Sequence, residues 1–313
     1  MESKINLNAE RPSLDGRNLD QLIALYLTDT RLRGVQRKTV ANYGYLLSHF
    51  REWWEDAGIG LDYRLDVRSW SLFDGWLQTQ CTRGGNALAF STRRACLGKC
   101  RQVLRWAYRL DYVDRDFADQ LPRPKGEMLQ RQGPGLAELR RLIDKAGPGR
   151  DRALVAVLAG TGIRRAEAAG VNVDDVAVHA DGGGVIRIRR AKMDKPRRVV
   201  FESACGIHLI PYLGERLGGP LFVGWKGKRL SSHSVYRIVK EAMRRAGIDA
   251  PGRGPHDLRR SFATIWNRTQ RGLGDGQLLS QQLGHSSQTM SAHYSGLNFD
   301  DLQEGFISPL SML

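Results

Sequence analysis

Fifteen residues divide this chain into halves that obey different patterns. Residues 121–135 hold three prolines and three glycines, with Arg123, Lys125 and Arg131 among them. Proline cannot donate to a helix or a sheet ladder, and repeated glycine raises the cost of ordering the backbone. No regular element should run through this stretch. We therefore expect an exposed basic linker between two folding units, a number that also suits 313 residues. The boundaries follow: a polar N-terminal tail over 1–18, a first domain over 19–120, a second over 136–296 and a short C-terminal segment over 297–313.

The first domain reads as helical. Leu19 to Leu27 places apolar residues at helical spacing, as do Val40, Tyr43, Leu46, Leu47, Phe50, Trp53 and Trp54. Thr39 is the expected N-cap of that second helix. A third helix should cover 67–80, capped near Ser69, and Gly84-Gly85-Asn86 should form a loop. A fourth, 91–110, carries Leu97, Val103, Leu104, Trp106 and Ala107 on one side.

The second domain mixes patterns. Helices are expected at 136–146 and 149–159, a break at Gly160-Thr161-Gly162, and a short helix at 164–169. Val185 to Arg189 alternates apolar and basic residues as a strand does, and Arg198 to Phe201 suits its partner. Further helices are expected at 207–217, 232–246, 256–268, 276–283 and 288–294. The fold class is thus mainly α with a small β-sheet (α+β).

The net charge is +15, with a pI near 10.0. Such an excess calls for a polyanionic partner, because cations gained by phosphates release condensed counterions. A membrane surface fits less well than nucleic acid. There is no apolar run of spanning length and no long helix with a basic face and a Trp-rich apolar one. Residues 1–11 lack an apolar signal core, so the expected compartment is the cytoplasm. The four cysteines lack C-x-x-C spacing and read as reduced, packed thiols. Asp174-Asp175 reads as a turn, and there is no phosphate-binding Gly-x4-Gly-Lys loop.

Six residues carry the candidate chemistry: Arg164, Lys192, His256, Arg259, His285 and Tyr294. His256 and Arg259 lie three apart at a helix start and share a face. Lys192 falls in the polar turn Ala191–Pro196 of the expected hairpin, with Lys195 close by. Glu167 lies three residues after Arg164, placed to hold it by an ion pair. Guanidiniums, an ammonium, imidazoles and a phenol together suit attack on a phosphodiester by tyrosine, without a metal ion.

The order Gly-Ile-Arg164-x-x-Glu167, hairpin Lys192, His256-x-x-Arg259 and Leu-Gly-His285-x8-Tyr294 resembles the catalytic pattern of the tyrosine recombinase (integrase) family. So does Lys38-Thr39-x3-Tyr43-x6-Phe50-x2-Trp53 in the first half. The resemblance implies a helical core-binding domain followed by a catalytic domain. It implies Tyr294 as nucleophile forming a 3′-phosphotyrosine, Arg164 and Arg259 clamping the phosphate, and Lys192 protonating the leaving 5′-oxygen. It further implies His256 accepting the tyrosine proton, His285 orienting the phosphate and Glu167 bracing the site, with no metal or nucleotide cofactor. Ala166, Ala168 and Ala169 are smaller than the family's usual residues beside the first arginine, and Ala191-Lys192 stands where the family prefers Gly-Lys.

The partners implied are double-stranded DNA, gripped between the two domains, and further copies of the chain. Candidate DNA contacts are Arg37, Lys38, Thr39, Arg93, Arg94, Lys99 and Arg101 in the first domain, and Arg140, Arg141, Arg229, Arg237 and Arg253 in the second. Residues 297–313, with Leu297, Phe299, Leu302, Phe306, Ile307 and Leu310, are expected to dock on a neighbouring protomer of a tetramer. With about 18 residues ahead of the first helix, no arm-binding domain is expected. The competing readings are a type IB topoisomerase, which shares the chemistry, and a DNA-binding regulator with a silent site.

Overall fold

Large aromatic side chains at helical spacing set the first unit of the structure. The computed structural model describes residues 19–57, 67–82, 84–112, 118, 121–122, 132–189, 196–269 and 275–284. The chain separates into two compact units, Met1–Leu129 and Gln130–Leu313. In the first, α1 (Leu19–Leu32), α2 (Arg37–Asp56), α3 (Val67–Thr79) and α4 (Phe90–Arg109) enclose one apolar core. Phe73 lies at its centre, with ring centroids 5.0 Å from Phe50, 5.1 Å from Trp53 and 5.9 Å from Trp70. Such tilted and edge-to-face pairs add about 0.5–1.5 kcal/mol each beyond the area they bury. Two of the indoles find acceptors: that of Trp106 donates to Asp29 (2.8 Å) and that of Trp70 to the carbonyl of Pro122 (3.1 Å).

Helix starts differ from expectation. Gly34, at φ +77°, closes the turn after α1 and lets α2 begin at Arg37 with Gln36 as N-cap. Thr39 is therefore in the first turn, its amide donating to the Gln36 carbonyl (2.8 Å), and is not the cap. Likewise α3 is already under way at Val67, and Ser69 is fully buried within its first turn.

In the second unit, α5 (Leu136–Lys145) leads to α6 (Arg150–Thr161), which is buried from Ala153 to Thr161 and forms the centre of the domain. A helix apolar on every side belongs there. Gly160 does not break it. The helix runs on to Gly162, whose φ of +67° supplies the left-handed cap. After α7 (Arg165–Gly170) comes a three-stranded antiparallel sheet in the order β1 (Val176–Val178), β2 (Gly184–Ile188), β3 (Arg197–Phe201). β1 is too short for its alternation to show in the sequence. Ile188 pairs with Arg197 and Ile186 with Val199.

The next helix, α8, spans Ser203–Leu213 and not 207–217. It starts directly after β3 and stops where Gly214 takes φ +56°. α9 (Ser232–Arg245) is capped by Ser231, whose hydroxyl accepts from the Ser234 amide (3.0 Å). α10 (Pro255–Thr269) and α11 (Asp275–Leu283) pack with β3 through Val200, Phe262, Trp266, Leu278, Leu279 and Leu283. The helix expected over 288–294 lies outside the described residues.

The ends of the expected linker are docked, each on its own unit. Leu121 is buried in the first core. In the second unit, Ser261 donates to the buried Pro134 carbonyl (2.6 Å), and a Cβ on Gly133 would fall 2.4 Å from the Asp257 carbonyl. Among the described residues, no helix is long and apolar enough to cross a membrane.

Candidate active site

Glu167 organises the candidate site. It is 5% exposed and sits in the first turn of α7. Its Oε2 accepts the Arg164 backbone amide (2.7 Å), satisfying a donor the helix leaves open. Its Oε1 accepts Nη1 of Arg164 (2.9 Å), the ion pair expected from the three-residue spacing. Arg197, at the start of β3, then binds both oxygens, Nη1 to Oε1 (3.0 Å) and Nη2 to Oε2 (2.9 Å). Burial works to raise the Glu167 carboxyl. The bidentate Arg197 and the two Arg164 donors outweigh it and hold the acid below the usual carboxylate range.

The two expected arginines converge on one short piece of backbone. Nη2 of Arg164 donates to the carbonyl of Gly284 (3.0 Å). Arg259, itself 5% exposed on α10, donates from Nη2 to the preceding carbonyl, Leu283 (2.8 Å), and from Nη1 to Gly162 (2.9 Å). Two guanidiniums that bind successive carbonyls are neighbours. Two glycines make this approach possible. A Cβ on Gly162 would lie 2.7 Å from the Leu283 side chain, and one on Gly284 (φ +66°) 2.8 Å from the Arg197 guanidinium. Gln282 locks the same corner from inside: it is fully buried, its amide nitrogen donates to Val200 (2.9 Å) and Thr161 (3.2 Å), and its oxygen accepts the Val200 amide (3.0 Å).

His256 is exposed in the first turn of α10, one turn before Arg259. Partial loss of solvent, then Arg260, Arg259 and Arg164, lower its pKa from the ordinary imidazole value, while Asp257 opposes them. A neutral imidazole near neutral pH can accept a proton. Lys192, His285 and Tyr294 lie outside the described residues. The structure does fix where their segments leave it: the cross-strand pair Ile188 and Arg197 flanks the stretch carrying Lys192, and Gly284, held by Arg164, immediately precedes His285.

Among the described residues, no group of three His, Cys, Asp or Glu side chains is placed to hold a metal ion.

Residues 136–300 match the model of the phage integrase family. The chain belongs to that family, the tyrosine recombinases. It is 31% identical over 291 residues to the tyrosine recombinase XerD of Corynebacterium glutamicum, an alignment covering 87% of this recombinase and 91% of that one. Among solved structures it resembles a lambda integrase dimer bound to a COC′ core site, with TM-score 0.67 at 18% identity, covering 95% of this chain and 80% of that one. It also resembles a lambda integrase tetramer bound to a Holliday junction, with TM-score 0.65 at 18% identity, covering 92% and 84%. At those identities the structures share its fold.

The candidate site also includes two residues not expected from the sequence, Arg197 and Gln282. One signal for Arg197 was available. It precedes the fully buried Val199 and Phe201 by two and four positions, so strand alternation puts it on their side of β3.

The expected DNA contacts separate into two groups. Arg37, Lys38, Arg94, Arg140, Arg141 and Arg237 are exposed, and Thr39 is half-buried. Others are engaged within the protein. Lys99 is buried, its ammonium 3.1 Å from the Tyr43 ring centroid and 2.6 Å from Gln102 Oε1, so it packs α4 on α2 and does not reach outward. Arg93 pairs with Asp74, Arg101 donates to the Leu121 carbonyl, and Arg253 pairs with Glu138. Arg229 donates to the carbonyls of Ala169 and Val171.

Proposed function

We propose that this chain is a site-specific recombinase of double-stranded DNA that works through a 3′-phosphotyrosine. The phenolic oxygen of Tyr294 attacks the scissile phosphorus and forms the new P–O bond. His256 accepts the phenol's proton. The bond to the 5′-oxygen breaks, and Lys192 delivers a proton to that leaving group. Arg164, Arg259 and His285 donate to the non-bridging oxygens as charge builds on them. Attack on the phosphotyrosine by a different 5′-hydroxyl restores the phosphodiester. The linkage conserves the energy of the broken bond, so no ATP is consumed.

The observation that carries this reading is the convergence of two guanidiniums on the Leu283 and Gly284 carbonyls, immediately before His285 and ten residues before Tyr294. Glu167 serves as the brace that holds Arg164. The exposed Arg37, Lys38, Arg94, Arg140, Arg141 and Arg237 supply backbone contacts to DNA in the cytoplasm. Four copies act on two paired sites, with 297–313 exchanged between them; the similar lambda integrase is a tetramer on a Holliday junction.

The test uses a DNA site mapped by footprinting and carrying a nick beside the cut position. The full chain should form a covalent adduct on this substrate, and Tyr294→Phe should form none. Adduct formation without strand exchange between two sites would leave a nicking-closing enzyme. A bound site with no adduct would overturn the proposal.

A further inference from the structure

The loop between β-bridge partners Val223 and Arg229 carries an indole that no described residue of its own domain covers. Trp225 is 85% exposed, whereas Trp53, Trp54, Trp70, Trp106 and Trp266 are buried and Trp76 is partly buried. The loop is not slack. The Gly224 amide donates to the Lys228 carbonyl (2.6 Å), and that of Leu230 to Phe222 (3.1 Å). Lys226 takes φ +55°, a conformation that L side chains rarely adopt, and Gly227 follows at +69°. The base is stapled from both sides: Arg150 donates to the Val223 carbonyl (3.0 Å), and Arg229 to Ala169 (3.1 Å) and Val171 (3.0 Å).

Those last two carbonyls close the C-terminal end of α7, whose N-cap is Arg164. Five residues of helix, about 8 Å along the axis, separate Arg164 from Ala169. The indole is therefore indexed rigidly to the phosphate-binding corner. The exposed cations Lys226 and Lys228 follow it in the same loop, on a chain of net charge +15. A rigid aromatic tip beside two cations suits a polyanion that also presents apolar surface.

We propose that this hairpin is a DNA-gripping element outside the catalytic pocket: Lys226 and Lys228 meet backbone phosphates, and the Trp225 ring lies against a base or sugar between them. The proposal rests on the recombinase reading above and assigns a contact within it.

The experiment uses the full chain and a 30-base-pair duplex of mixed sequence, titrated over a salt series, with acrylamide quenching of tryptophan emission. Trp225→Phe should remove the quencher-accessible emission, identifying it. In the unaltered protein, duplex should shield that emission. Trp225→Ala should weaken binding on the order of tenfold with an unchanged salt slope, about what burying one large apolar side chain contributes. Trp225→Phe should recover most of the affinity. The double variant Lys226→Gln/Lys228→Gln should lower the slope by up to about 2. If duplex binds but the emission stays quenchable and Trp225→Ala binds as before, the hairpin proposal fails and the recombinase reading stands. Shielding that rises with protein concentration in the absence of DNA would assign the tip to a second copy of the chain and overturn the proposal. If the unaltered chain retains no duplex at all, both readings fall.

Discussion

Where the first unit fills its centre with rings, the second fills it with small aliphatic side chains and then buries charge in one corner. Phe50 and Trp53 from α2 and Trp70 from α3 all meet the ring of Phe73. In the second unit α6 contributes alanine, valine and leucine, while Glu167, Arg197 and Arg259 lie with little solvent contact beside it. The contrast separates two tasks. A ring-filled core holds a fold and asks little of pH. A buried carboxylate between guanidiniums costs desolvation and returns it only while every partner is present.

That contrast can be broken at Glu167 first. Glu167→Ala would leave Arg197, with a side chain only 10% exposed, without its carboxylate. The expected loss is about 3–5 kcal/mol, confined to the second unit. Segment-resolved amide exchange under denaturant measures it. Equal destabilisation of both units would contradict the separation drawn here. Phe73→Ala is the converse, about 3–5 kcal/mol from the cavity it opens in the first unit, with exchange in α6 unchanged.

Acid provides a milder test of the same pair. Glu167 titrates lower in the folded protein than in the unfolded chain. Its contribution is fully present above the unfolded carboxyl pKa of about 4.3 and is lost as pH falls through the folded value. The second unit should therefore loosen before the first on acidification, followed by segment-resolved exchange. Gly162→Ala should cost about 1–2 kcal/mol from its left-handed φ alone. It should also reduce adduct formation, because the Leu283 that a methyl would strike carries an Arg259 acceptor.

The last test belongs to Lys99. Burial lowers its ammonium to about 8. The folded state thus releases its proton before the unfolded chain does, and stability of the first unit should rise as pH climbs from about 8 toward 10.4. Lys99→Met should abolish that rise while changing stability at pH 7 by about 1 kcal/mol or less. Thermal denaturation across pH checks it.

Helices with a clear apolar stripe, such as α2 and α4, were legible in the sequence because their buried residues recur at helical spacing. Their starts were less so: Thr39 has a capping side chain, but Gly34 allows an earlier start at a residue that offers no cap bond. α8 lies earlier than its expected span because it starts directly after β3 and Gly214, at φ +56°, ends it. In the site, Arg164 and Glu167 stood out through local spacing. The part played by Arg197 and Gln282 depends on tertiary approach, Arg197 reaching back 30 positions to Glu167 and Gln282 82 positions to Val200. No spacing rule reports a contact of that kind.

The grip on Leu283 and Gly284 acts as a mooring. Ten residues separate Gly284 from Tyr294, a leash that spans at most about 35 Å however it is drawn. Any phosphorus the phenol can strike, on DNA held by its own subunit or by another, lies within that span plus the reach of one tyrosine side chain from a knot tied by two arginines.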